Sequence, residues 1–139
     1  MTVIKKLNDL DITLSKLSRK KILSLVPTMG SLHKGHISLI KSALKYSDEV
    51  WVSIFVNPTQ FNDINDYKKY PRNITRDVAI LKRLNVDYLL VPKINDIYKS
   101  KKSMKININK KDKILCAKYR PGHFEGVLGV INQFLRKIK

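Results

Sequence analysis

Apolar residues along this chain fall in short unbroken runs separated by stretches of helical period. Ile22-Leu-Ser-Leu-Val26, Val50-Trp-Val-Ser-Ile-Phe-Val56 and Val86-Asp-Tyr-Leu-Leu-Val91 are continuous rather than alternating, the pattern of strands buried on both faces. Between them, Ile37, Ile40 and Leu44 share one helical face, and Val78 and Leu81, with Ile80 and Leu84 beside them, share another; Asp77 sits early in the second of these helices. Strand, helix, strand, helix, strand predicts an α/β domain with a parallel sheet, right-handed crossovers and flanking helices. Upstream, Leu7, Leu10, Leu14 and Leu17 predict an amphipathic helix, and Thr2 to Lys5 a short edge strand. Downstream, Met104 to Asn109 alternates like a small exposed strand, Lys99 to Lys113 reads as a surface excursion, and Phe124 to Ile138 as a closing helix.

Composition narrows this picture. The 139 residues, 43% hydrophobic, suffice for one domain with a real core, and no internal repeat or long linker divides residues 1–139. No apolar run approaches membrane-spanning length and the N-terminus lacks a signal-peptide stretch, so a cytoplasmic protein without membrane contact is expected. The lone Cys116 has no partner for an intramolecular disulfide or a cysteine metal cluster and reads as an incidental thiol. A formal net charge of +17 raises nucleic-acid binding. Against it, only six of the 28 basic residues are arginine, and the lysines are spread along the whole chain. Lysine is a hydrated point charge, whereas base readout and forked phosphate contacts favour arginine. The expectation is a solvated basic surface and no nucleic-acid partner, with a field that still draws in anionic substrates.

Candidate chemistry lies at the ends of two strands. In an open α/β sheet the ligand binds beyond the carboxyl ends of the strands. Val26-Pro-Thr-Met-Gly-Ser-Leu-His-Lys-Gly-His36 carries the first strand through a small-residue turn onto a helix start, and Ser53-Ile-Phe-Val-Asn-Pro-Thr-Gln-Phe61 ends the second in a polar turn; the fold should bring the two side by side. His33 and His36, three apart, would share a face of the first helical turn, with Gly35 between them leaving room for a phosphate. Unpaired N–H groups and the positive end of the helix dipole would add to the attraction. The same pair could be half a metal site or ordinary helix-start polar residues, but no nearby Cys, Asp or Glu completes a zinc set, and no metal ligand is assigned.

With Tyr70-Pro-Arg72 and Arg120-Pro-Gly-His-Phe-Glu-Gly-Val127, these segments resemble the pantothenate synthetase (pantoate-β-alanine ligase) family. HxGH alone marks only the wider nucleotidylyltransferase superfamily; SIFVNPTQF and RPGHF are more specific. The resemblance implies a Rossmann-like nucleotide-binding domain and a two-step reaction with ATP and Mg²⁺. Pantoate is first adenylylated with release of pyrophosphate, and β-alanine then attacks the acyl adenylate to give pantothenate and AMP.

By the same resemblance, Met29, Gly30, Ser31, Leu32, His33, Lys34, Gly35 and His36 would line the ATP phosphates, His36 as proton donor with His33 beside it, and Gln60 would bind pantoate close to the β-alanine site. Mg²⁺ would be held mainly by phosphates and waters, and a homodimer is the implied assembly. Asn57, Tyr70, Arg72, Arg120 and His123 match family strings but serve equally well as scaffold. Family members are about twice this length. The fold is therefore expected to be incomplete relative to them, lacking the C-terminal lid domain, and ligase turnover by this chain alone to be low or absent. Another HxGH nucleotidylyltransferase and a non-catalytic basic binding module are the alternatives.

Overall fold

The computed structural model describes residues 1–17, 20–98 and 122–138. The predicted strand at Met104 to Asn109, the excursion at Lys99 to Lys113, Cys116 and Arg120 lie outside them. The chain divides into two compact units, one formed by Met1–Val56 with Pro71–Lys93, the other by Asn57–Tyr70 with Ile94–Lys139.

In the first unit, strands β1 (Thr2–Ile4), β2 (Leu23–Thr28), β3 (Glu49–Ile54) and β4 (Tyr88–Leu90) form one all-parallel sheet in the order β1-β4-β3-β2. Register runs from Leu23 opposite Glu49 to Thr28 opposite Ile54, and from Trp51 to Ser53 opposite Tyr88 to Leu90. β3 is buried along its whole length, as its unbroken apolar run requires. β2 departs from expectation. Leu23, Ser24 and Leu25 are only half-buried and Pro27 is exposed, and among the described residues β2 is an edge strand of this sheet. The edge position explains how the strand runs on through Pro27, which cannot donate to a ladder.

Helices α1 (Leu7–Ser15), α2 (Lys34–Tyr46) and α4 (Ile74–Arg83) complete this unit. Alternation along β3 sends Val50, Val52 and Ile54 into a core with Val26, Leu32, Ile40, Leu81, Val86 and Leu89. On the intervening register Trp51 stacks on Tyr88, ring centroids 4.2 Å apart. α1 buries Leu10 completely. α4 stops where Asn85 takes a left-handed φ of 58°, a conformation asparagine tolerates at helix ends.

The second unit contains a 3₁₀ turn (Pro58–Gln60) and helices α3 (Ile64–Lys69), α5 (Ile94–Ile97) and α6 (His123–Ile138). α6 buries Gly126, Gly129, Val130 and Phe134, one face at helical spacing.

Candidate functional site

The turn between β2 and α2 is built from backbone groups that find unusual partners. Thr28 donates its hydroxyl to the Ser53 carbonyl (2.7 Å) and accepts from the Gly30 N–H (3.1 Å), tying the strand end to β3. Gly30 (φ 80°) and Ser31 (φ 53°) are both left-handed, and the chain then drops the Leu32 side chain into the core. A Cβ on Gly30 would sit 3.0 Å from Asp77 Oδ2 and from Ile54 Cγ2, so this position needs glycine on both counts. Asp77, in the first turn of α4 and 1% exposed, places one carboxylate oxygen on each of the next two amides. Ser31 N–H donates to Oδ2 and Leu32 N–H to Oδ1, both at 2.8 Å. These amides are thus occupied rather than standing unpaired ahead of the helix.

His33 is not in the helix but is its N-cap, in extended backbone. Its Nδ1 accepts from the Gly35 N–H at 3.1 Å, and His36 Nδ1 accepts from the His33 N–H at 3.4 Å. The two imidazoles therefore form a reciprocal capping box of the kind usually made by a hydroxyl and a carboxylate. Their centroids are 4.0 Å apart, with the planes tilted by 40°. An Nδ1 that accepts a backbone hydrogen bond leaves the neutral ring's proton on Nε2, so each ring presents Nε2–H as a donor. Burial lowers the pKa of His36, His33 lowers it further, and Asp77 opposes both, which favours the neutral donor form. Gly35 has a structural task. A Cβ there would lie 3.0 Å from His33 Cε1 and 3.2 Å from His33 Nδ1, so glycine leaves space for the capping ring itself. Lys34 is exposed and Met29 half-buried.

In the other unit, Gln60 closes the 3₁₀ turn, half-buried. His123 Nδ1 lies 2.8 Å from the Gln60 carbonyl; a carbonyl only accepts, so the imidazole carries its proton on Nδ1 and donates. Asn57, fully buried, is the hub of this turn. Its Oδ1 accepts from the Thr59 N–H (3.2 Å), the Thr59 hydroxyl (2.9 Å) and the Tyr98 hydroxyl (3.1 Å), while its Nδ2 donates to the Gly126 carbonyl (3.0 Å). Asn57 is thereby wholly engaged in the scaffold. Tyr70 meets Phe61 edge-on, centroids 5.5 Å apart, and Arg72 is exposed. Among the described residues no group of three or more His, Cys, Asp or Glu is placed to hold a metal ion, and no helix is long and apolar enough to cross a membrane.

The structure thus brings His33 and His36 together in one unit and joins Gln60 to His123 in the other. Sequence reasoning missed Asp77 as a bracing group. An aspartate in a first helical turn reads as a dipole complement, and its partners lie 45 and 46 residues away.

Comparison with known proteins agrees on one family. The pantoate-beta-alanine ligase family model matches residues 2–139. Pantothenate synthetase of Pseudothermotoga lettingae is 42% identical over 139 residues, covering 100% of this chain and 50% of the relative. That of Buchnera aphidicola subsp. Acyrthosiphon pisum is 46% identical over 143 residues, again covering 100% and 50%. Among solved structures, the pantoate-beta-alanine ligase of Francisella tularensis, complexed with beta-gamma ATP and beta-alanine, superposes with a TM-score of 0.94 at 42% identity, over 99% of this chain and 53% of that one. Pantothenate synthetase of Thermus thermophilus gives 0.87 at 32% identity, over 99% and 49%. The chain spans about half the length of the relatives it matches, and its parallel sheet with flanking helices is their N-terminal Rossmann-like domain.

Proposed function

The chain belongs to the pantoate-beta-alanine ligase family, and from that premise we propose that it contributes the nucleotide site for ATP-dependent condensation of pantoate with β-alanine. The observation that carries this is the histidine capping box. Two imidazoles at a helix start, each accepting a backbone N–H on Nδ1, are left with Nε2–H as their donor. In the reaction, a pantoate carboxylate oxygen bonds to the α-phosphorus of ATP as the bond to the pyrophosphate oxygen breaks, and negative charge passes to the leaving group. Donors fixed in advance where that charge grows can supply roughly 3 kcal/mol each. His36 fills this role as the principal donor, with His33 beside it, on the turn of residues 29 to 36, of which Leu32 serves the core and Asp77 rather than the phosphates. Gln60, its backbone held by His123, binds pantoate near the β-alanine site through an amide that can both donate and accept. The β-alanine amine then attacks the acyl carbon and AMP leaves.

Mg²⁺ belongs to this proposal as a companion of the nucleotide. It would bind chiefly through substrate phosphates and waters and supply charge neutralisation there, which suits a turn whose histidines offer donors rather than carboxylate ligands. Residues 1–139 act as one nucleotide-binding domain of a cytoplasmic homodimer, by likeness to the family.

Calorimetric titration with Mg-ATP, with and without pantoate, tests the reading. His36→Ala should weaken Mg-ATP binding by about ten-fold or more, the equivalent of losing one charge-assisted hydrogen bond. Gln60→Ala should lose pantoate while retaining Mg-ATP. Unchanged nucleotide affinity in His36→Ala would sink the assignment. A steeply salt-dependent affinity for mixed-sequence DNA with no ATP binding would favour the basic binding module instead.

A further inference from the structure

We infer that Asp77 is a positioning residue for the nucleotide site: its carboxylate fills an anion-binding nest made by the Ser31 and Leu32 amides, and so fixes the turn that presents His33 and His36. The inference rests on the reading of those histidines as the phosphate-facing pair.

Three observations converge on it. Successive N–H groups that point into one concavity form a nest for anions, the device that elsewhere receives phosphate. Here the anion is internal. Each oxygen of Asp77 takes one amide at 2.8 Å, and the group is 1% exposed, so the pairing is shielded from water and salt. The backbone around it needs an external restraint, since Ser31 holds a left-handed φ of 53° that serine seldom adopts unaided. Finally, a Cβ on Gly30 would press on Asp77 Oδ2 and on Ile54 Cγ2, each at 3.0 Å, so the bare glycine is part of what lets the carboxylate sit there.

The consequence is a division of labour. With its first two amides satisfied from within, the turn keeps its shape without nucleotide, and an incoming phosphate meets the imidazoles on a rigid base. The carboxylate also lies close enough to raise the pKa of His36, partly offsetting burial. Asp77 thus positions the pair through the backbone while touching no substrate.

The test compares wild-type chain with Asp77→Asn, Asp77→Ala and Gly30→Ala, by calorimetry with Mg-ATP and by nitrogen-15 NMR of the Ser31 and Leu32 amides and the His33 and His36 rings. Asp77→Asn retains shape but turns an N–H donor toward one amide. Mg-ATP affinity should fall about ten-fold in each variant, in line with losing one or two charge-assisted hydrogen bonds. In Asp77→Ala, added formate should restore most of the loss and return the two amide signals toward their wild-type positions, which a general defect in folding would not allow. Folded Asp77→Ala that binds Mg-ATP within about two-fold of wild type, or is indifferent to formate, overturns the inference. Where Asp77→Ala fails to fold, wild-type chain decides through scalar coupling across the hydrogen bonds from the Ser31 and Leu32 nitrogens to the Asp77 carboxyl carbon: present, it supports the nest; absent, it refutes it. Should wild-type chain bind no nucleotide, the function proposed above fails, while the amide signals and ring tautomers still report on Asp77.

Discussion

The turn that follows β2 and the turn that follows β3 are both polar, both tight, and braced in opposite ways. The first is held by a buried charge: Asp77 takes the Ser31 and Leu32 amides, and the histidines beyond it stay half-buried or exposed. The second is held by neutral groups: the Asn57 side chain gathers Thr59, Tyr98 and the Gly126 carbonyl, and His123 adds the Gln60 carbonyl. A single carboxylate accepting two amides makes a stiff brace with few parts, suited to a segment whose next residues must stay accessible. A four-bond neutral hub spreads the same task over residues from three segments, and removing its centre takes a bond from each of them at once.

That contrast can be broken most sharply at Asn57. Asn57→Ala leaves the Thr59 amide and hydroxyl, the Tyr98 hydroxyl and the Gly126 carbonyl without their shared partner, and should cost on the order of 4 kcal/mol in urea denaturation. Tyr98→Phe, which removes one of the four contacts and leaves the hub in place, should cost clearly less. Equal losses would mean that the hub is not what holds the turn. A smaller effect is expected where α6 touches the same turn. A Cβ on Gly126 would lie 2.6 Å from the Thr59 carbonyl oxygen and 2.8 Å from its carbon, both backbone atoms with nowhere to go. Gly126→Ala should therefore destabilise by about 2 kcal/mol despite the higher helix propensity of alanine, and a neutral or stabilising result would show that α6 can draw back.

The smallest effect belongs to the first turn and is read through pH. Burial, then His33, hold the His36 pKa below the usual imidazole value of about 6.5, against the pull of Asp77. The unfolded chain therefore takes up this proton first as pH falls. The stability that neutral His36 contributes is complete above about 6.5 and is lost as pH falls from there through the folded value. Protonation also removes the Nδ1 acceptor of the capping box. Between pH of about 7 and 5.5, stability should decline less steeply in His36→Gln than in wild type; matching slopes would separate the capping box from the titration.

Much of this architecture was legible in the residue pattern because it is local. Continuous apolar runs placed β3 and β4 within a few residues, and the spacing of Ile37, Ile40 and Leu44 placed α2. The HxGH segment announced a helix start bearing two imidazoles because turn residues and histidines are adjacent in sequence. What stayed hidden depends on partners far away along the chain. Asp77 looks like any acidic residue in a first helical turn until the sheet brings Ser31 and Leu32 against it. Asn57, followed by a proline, reads as a turn residue, and nothing nearby foretells Tyr98 or Gly126. The edge position of β2 among the described residues is a matter of strand order, which no single strand encodes.

Gly35 carries a last consequence, for how this segment can vary by mutation. Lys34 is exposed, so its position admits almost any side chain, whereas the neighbouring position is tied to the ring two residues earlier. A side chain at 35 and the present rotamer of His33 exclude one another by a few tenths of an ångström, and yielding would release the Gly35 amide from its cap. The two positions are therefore coupled: a side chain at 35 obliges the ring at 33 to shift, and without the imidazole at 33 that constraint on 35 is gone.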